Sequence, residues 1–308
     1  MSLEELYRDL IEKGYGGRLL TNEPLSRHTS FAIGGPSDLF VAVRTLAELE
    51  EAVEMAWSRN VPVLLLGGGT NVLVADAGLR GITIVNECRS YRLGSDGLLV
   101  AESGVWLADI ARWTVEQGWA GLEWAVGIPG TVGGATVGNA GAYGGCMSDV
   151  VRWARILQPN GEPQQMDVEQ LGYSYRMSAL KQENWRARRR IVLETAIQLT
   201  PGDREELIRK MESANTQRRL RTPAGHCAGS IFKRTMQYPA GFLIEQAGLK
   251  GKRIGGAEVS PKHANFLMNT GSATAADMKA LIDLVQQAVW SSFAQRLEPE
   301  IEFVGDWS

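Results

Sequence analysis

Residues 121–145 read GLEWAVGIPGTVGGATVGNAGAYGG, with nine glycines in 25 residues. Trp124, Val126, Ile128, Val132 and Val137 are interleaved with them. A flexible linker would instead be polar and rich in Gly and Ser. So many glycines let the backbone turn through positive φ and approach a ligand closely. Exposed N–H groups at such turns form concave sites for anions, phosphate above all. Pro129 sets one turn and Asn139 can supply a side-chain amide. A set of tight turns in a β-rich domain is the plain alternative.

The chain has 308 residues, enough for two or three domains. Its net charge of −3 gives no reason to expect a nucleic-acid or membrane partner. The N-terminus, MSLEELYRDLIEKG, is amphipathic and lacks the apolar core of a secretion signal. No run of 18 apolar residues occurs, so no transmembrane helix is expected. Cys88, Cys146 and Cys227 are odd in number and far apart, which fits a reducing cytoplasm. His28, His226 and His263 show no metal-ligand spacing, so no metal site is expected.

Residues 3–13 have the pattern of a short amphipathic helix. Phe31, Ile33 and then Leu39 to Val43 predict strand, broken at Gly34-Gly35-Pro36. Thr45 and Glu48 have capping-box spacing at the start of a helix. VPVLLL, 61–66, is an apolar run of strand length that enters Gly67-Gly68-Gly69-Thr70-Asn71, a hairpin turn or a second phosphate cradle. Neither a dinucleotide fingerprint nor a Walker loop is present, which points to a different nucleotide-binding fold. Strands are expected at 82–85, 97–102, 151–158 and 191–199, the last by alternation. A helix is expected over 105–117, stopped by Gly118 in the left-handed cap position. The run Arg186, Arg188, Arg189 and Arg190 reads as a solvated loop or edge.

Helices are expected at 203–219 and 274–295, the second opened by Thr274 with Asp277 in box position. From 216 to 262 the charge changes. Arg218, Arg219, Arg221, Lys233, Arg234, Lys250, Lys252, Arg253 and Lys262 face only Glu245 and Glu258, a composition suited to a polyanionic small ligand. LEPEIEFVG at 297–305 predicts a strand with Glu298, Glu300 and Glu302 on one face. That face is either wet or turned, through one carboxylate, toward the basic region.

The segments TSFAIGGPSDLFV, LLLGGGTNVLV, GIPGTVGGATVGNAGAYGG, YSYRMS, AGSIFKR, AGLKGKRIGGAEVSPKHANFLMN and LEPEIEFVG run through nearly the whole chain in order. Together they resemble the UDP-N-acetylenolpyruvoylglucosamine reductase family, in its shorter type. One small departure is Gly138 before Asn139, where Met or Gln is common.

The resemblance implies an α+β protein: a vanillyl-alcohol-oxidase-like FAD-binding fold of two subdomains, 1–88 and 89–200, and a substrate domain, 201–308. It implies reduction of UDP-N-acetylglucosamine enolpyruvate by NADPH through non-covalent FAD, in peptidoglycan precursor synthesis. A cytoplasmic monomer is expected, with no nucleic-acid or membrane partner. Arg176, Ser230 and Glu300 match the catalytic set: the arginine and carboxylate for the developing charge, the serine as proton donor. Ile33, Gly34, Gly35, Gly67, Gly68, Gly69, Thr70, Asn71, Gly127, Pro129, Gly130, Gly133, Gly134, Asn139, Ala140 and Gly141 are the implied FAD contacts. Tyr175, Arg221, Lys233, Lys262 and Asn265 are the substrate candidates. A flavin oxidase or dehydrogenase of the same fold, and a non-catalytic flavin- or nucleotide-binding module, remain the alternatives.

Overall fold

The computed structural model describes residues 2–183 and 187–307. The chain divides into two compact units. One comprises Met1–Thr21, Leu39–Gly68 and Gly81–Gln217; the other comprises Asn22–Asp38, Gly69–Arg80 and Arg218–Ser308.

Two larger sheets belong mainly to the first unit, beside two short two-stranded ones among the described residues. A four-stranded sheet has the order Leu19–Pro24, Pro36–Val43, Leu79–Asn86, Val63–Leu66. Its last two strands are parallel, with Val63 opposite Ile82 and Leu66 opposite Val85. Helices Ser2–Glu12 and Leu46–Ser58 bury Leu6, Leu10, Leu49, Val53 and Trp57 in one core with Val41, Ile82 and Ile84. Thr45 accepts from the Glu48 N–H, as its spacing predicts. The Glu48 carboxylate, however, turns to the Arg44 N–H and to both terminal nitrogens of Arg18, at 2.7 and 2.8 Å.

The second sheet of this unit is antiparallel, in the order Pro163–Asp167, Val151–Leu157, Ile191–Gln198, Leu98–Glu102, Tyr91–Leu93. Ile191–Gln198 is buried on both faces. Ile191 and Leu193 join the core of the N-terminal helices, while Val192 and Ile197 pack with Ile110, Val132 and Ile156. Helix Leu107–Glu116 ends before Gly118, whose φ of +80° confirms the expected left-handed stop.

The glycine-rich stretch is not made of turns alone. Val132–Gly138 is helical, opened by Thr131, which accepts from the Gly134 N–H, and closed by Asn139 at φ +43°. Glycine's poor helix propensity hides this element from a reading of the sequence. Tertiary anchors hold it: Thr136 Oγ1 lies 2.8 Å from Thr195 Oγ1, and the Gly133 N–H donates to the Ser103 carbonyl.

In the second unit, helices Ala240–Gln246 and Ala275–Phe293 pack on the antiparallel strands Arg253–Ile254, Ala257–Val259 and Leu267–Asn269. Strand Val72–Val74 runs parallel to Glu302–Val304. Phe31 and Ile33 are buried in this core, but they are not strand residues. Ala32 takes a φ of +52°, and Thr29 Oγ1 bonds the Ile33 carbonyl, so the segment folds as a compact loop. Pro36 starts the following strand instead of ending a turn before it.

The C-terminal strand is likewise shorter than expected, Glu302–Val304. Glu298 and Glu300 precede it, so the three glutamates do not share a strand face. Of the arginine run, Arg188 bonds the Trp57 carbonyl and the half-buried Arg190 bonds Glu183, so these two fasten the loop they were expected only to solvate. Arg186 lies outside the described residues. Among the described residues no helix is long and apolar enough to cross a membrane.

Candidate active site

In the first unit, the strand Val63–Leu66 delivers Gly67 and Gly68 onto the start of the glycine-rich helix. A Cβ on Gly67 would lie 2.4 Å from Thr131 Oγ1. One on Gly68 would lie 2.7 Å from the Trp106 ring and 3.3 Å from the Gly130 Cα. The two glycine segments, far apart in sequence, therefore form one packed wall. No described residue accepts from the backbone N–H groups of Gly67, Gly68, Gly130 or Thr131. Backbone donors without a protein acceptor are the groups that bind a diphosphate, so these residues fit the diphosphate of FAD. Gly127, Pro129, Gly133 and Gly134 lie on the same stretch, where Gly133 is set by close contact with Ser103. Thr131 and Trp106 were not among the sequence candidates. Thr131 was legible in principle as a helix N-cap, and Trp106 was not.

The remaining glycine turns belong to the second unit. A Cβ on Gly35 would come within 2.0 Å of the Asp76 carbonyl oxygen, and one on Gly69 within 2.0 Å of that of His28. Gly34 accepts from the Ser26 N–H and Gly69 from the Ser30 N–H. Ile33 is buried beside them, and Thr70 follows Gly69 half-buried.

Arg176 stands on a tight turn of the first unit. Ser174 and Met177 exchange N–H···O bonds of 3.1 Å in both directions, with Tyr175 and Arg176 at the tip. Arg176 has φ +57°, a conformation this turn position favours for Gly or Asn. Its Nη2 donates to the Gly141 carbonyl at 2.7 Å, and its guanidinium lies 5.7 Å from the centre of the exposed Tyr175 ring. Asn139 is buried, and its amide is spent on the protein: Nδ2 donates to the Ser174 carbonyl and Oδ1 accepts from the Ser148 N–H. Ala140 accepts from the Met147 N–H.

In the second unit the segment after Ser230 pairs with the segment that carries Glu300. The Glu300 N–H donates to the Ile231 carbonyl at 2.7 Å, and Phe232 bridges Pro299. Ser230 follows Gly229, at φ +73°, and is half-buried; its hydroxyl makes no hydrogen bond with the described residues. Asn71 donates to the Glu300 carbonyl at 3.1 Å and accepts from the Glu302 N–H at 2.9 Å. Asn265, buried, grips Phe232 from both sides, accepting from its N–H and donating to its carbonyl.

The basic candidates differ in what they touch. Lys233 is largely buried and pairs with the exposed Glu298 at 3.0 Å. Lys262 donates to the Arg219 and Thr222 carbonyls at the end of helix Arg204–Arg221, a C-terminal capping role. Arg221 closes that helix and is exposed. Burial lowers the pKa of His263, whose Nδ1 accepts from the Asn265 N–H.

Residues 37–167 match the model of an FAD binding domain. Residues 221–304 match that of the UDP-N-acetylenolpyruvoylglucosamine reductase C-terminal domain. The reductase of that name from Rubrobacter xylanophilus is 44% identical over 288 residues, covering 92% of this chain and 95% of the relative. The one from Caldanaerobacter subterraneus is 42% identical over 291 residues, covering 94% and 95%. The chain belongs to the UDP-N-acetylenolpyruvoylglucosamine reductase family. The crystal structure of the family member from Thermus caldophilus superposes with a TM-score of 0.80 at 32% identity, over 93% of this chain and 98% of that one. The family's C-terminal model spans Ser230 and Glu300, and the FAD-binding model spans Gly67 to Gly141. Arg176 falls within neither range.

Proposed function

We propose that this chain catalyses NADPH-dependent reduction of UDP-N-acetylglucosamine enolpyruvate to UDP-N-acetylmuramate, with FAD as bound cofactor, in peptidoglycan precursor synthesis. The observation that carries the reading is identity of 42–44% to reductases of this name over more than nine-tenths of the chain. The chemistry that FAD supplies when bound is hydride transfer between nicotinamide and the enolpyruvyl alkene.

Hydride addition at one alkene carbon leaves negative charge on the other, shared with the neighbouring carboxylate. Such charge needs fixed positive or hydrogen-bonding groups in a dry site. Arg176 supplies the fixed cation, oriented through Gly141. Glu300, protonated or sharing a proton, supports the enolate. Ser230 Oγ delivers a proton to carbon; its hydroxyl has no competing protein acceptor among the described residues. Gly67, Gly68, Gly130 and Thr131 hold the FAD diphosphate through backbone N–H groups.

In this reading residues 1–88 and 89–200 form the FAD-binding subdomains, and 201–308 take the UDP-sugar. Tyr175, Arg221, Lys233 and Lys262 are its contacts, while Asn265 acts through Phe232. The enzyme works as a cytoplasmic monomer. The test is a titration of the purified yellow protein. NADPH bleaches the flavin band and the enolpyruvyl substrate restores it; a band that oxygen restores but the substrate does not would establish an oxidase instead.

A further inference from the structure

Three side-chain hydrogen bonds tie the glycine-rich stretch to the turn that carries Arg176, all within the first unit. Ser178 Oγ donates to the Val137 carbonyl at 2.6 Å, Asn139 Nδ2 to the Ser174 carbonyl at 2.9 Å, and Arg176 Nη2 to the Gly141 carbonyl at 2.7 Å. The three anchors on the glycine-rich stretch are two residues apart. Asn139 is the central one and does double duty, because its Oδ1 also takes the Ser148 N–H at 3.0 Å. With 6% of its surface exposed, its amide is held on both sides by protein.

The turn needs such a tie. Arg176 occupies a left-handed conformation where Gly or Asn is favoured, and its neighbour Tyr175 is more than half exposed. Ser174 and Met177 close the turn on each other, and Ser174, Arg176 and Ser178 tie it to the glycine-rich stretch. Removing the Asn139 amide frees the Ser174 end and lets the guanidinium leave its place on Gly141.

We propose that Asn139 is the positioning residue for Arg176, setting the guanidinium's orientation through Ser174. This rests on the reading of Arg176 as catalytic. It differs from a role as an FAD ligand, and from mere closure of the helix at a left-handed position, which glycine would serve as well.

The experiment compares Asn139→Gly and Asn139→Asp in the holoenzyme, alone and combined with Arg176→Ala. Glycine keeps the backbone conformation and loses both amide bonds. Aspartate keeps the acceptor for Ser148 and sets a carboxylate against the Ser174 carbonyl. Both single variants are expected to lose about tenfold or more in kcat/KM. FAD release on dilution, followed by flavin fluorescence, is expected to stay within about twofold of wild type. In the Arg176→Ala background Asn139→Gly is expected to cost nothing further, since coupled residues are not additive. Unchanged turnover in Asn139→Gly, faster FAD release as its only effect, or losses that multiply with Arg176→Ala would each overturn the inference. Full turnover in Arg176→Ala alone would instead overturn the catalytic reading beneath it.

Discussion

Asn71 holds Glu300 by the backbone: its side-chain amide donates to the Glu300 carbonyl, and its own carbonyl accepts from the Glu302 N–H. Asn71, at the end of the Gly67–Asn71 loop, thus fixes the chain on either side of Ile301, directly after Glu300. Asn71→Ala removes one of these two bonds. The expected outcome is a loss of about five- to tenfold in kcat, the scale of one hydrogen bond of ~1 kcal/mol, with unchanged FAD content. Steady-state kinetics beside the flavin-to-protein absorbance ratio checks it.

Ser230→Ala should leave stability untouched, because the hydroxyl bonds no described residue. Oxidation of the reduced protein by the enolpyruvyl substrate should slow by roughly 100-fold or more, the scale of general acid catalysis. Its reduction by NADPH should proceed at the wild-type rate. Stopped-flow absorbance separates the halves, and equal losses in both would remove Ser230 from the chemistry.

FAD should leave the denatured protein completely. The Gly67–Asn71 loop has neither His nor Cys to tether it. Burial pushes the Cys88 thiol up to about 12, which leaves it unreactive. Cys146 packs behind Gly141 with its Sγ 3.1 Å from Ser148 Oγ. Acid precipitation is expected to release all the colour into the supernatant. Colour retained by the pellet, and lost in Cys146→Ala, would show a covalent bond.

The Arg18–Glu48 pair makes stability depend on acid. Its hydrogen bonds to Arg18, with help from the Arg44 N–H and against a smaller effect of burial, lower the Glu48 pKa from 4.5 to about 2. A carboxylate depressed in the folded state contributes stability above its unfolded pKa and loses it as pH falls toward the folded one. Glu48→Gln should therefore cost about 1–2 kcal/mol at pH 7 in urea unfolding. The difference from wild type should shrink as pH falls from 5 toward 2. A gap that stays constant with pH would mean that the charge contributes nothing.

Asp76 caps helix Ala275–Phe293 from outside it, accepting from the Ala275 and Ala276 N–H groups at 2.8 and 2.9 Å. Asp76→Ala leaves those donors without their carboxylate and should cost about 1–2 kcal/mol, on the scale of a lost N-cap. The corresponding fall in Tm is about 2–4 °C per kcal/mol, measured by calorimetry.

Local chemistry was legible and long-range bonding was not. Thr274 and Asp277 form their capping box, and Gly118 its left-handed stop, because each signal lies within four residues. Helix Val132–Gly138 escaped because its glycines disfavour helix, and its anchors Thr195 and Ser103 lie far off in sequence. Glu298, Glu300 and Glu302 alternate as a strand would. Yet the Phe232–Pro299 bridge and Asn71 claim that backbone first, and no periodicity encodes those partners. Asn139 and Asn265 were expected as ligand contacts from the family resemblance, and their amides bond the chain's own backbone. Which partner satisfies a buried amide depends on residues tens of positions away.

The wall built by Gly67 and Gly68 against Thr131 and Trp106 bears on how the cofactor is bound. These glycines are demanded by protein atoms already touching them, so the loop has its shape before any ligand arrives. A preorganised loop loses little conformational freedom on binding, and more of the interaction with the diphosphate is kept as affinity. The same contacts make an added methyl group at Gly67 a fault of folding before it is a fault of recognition.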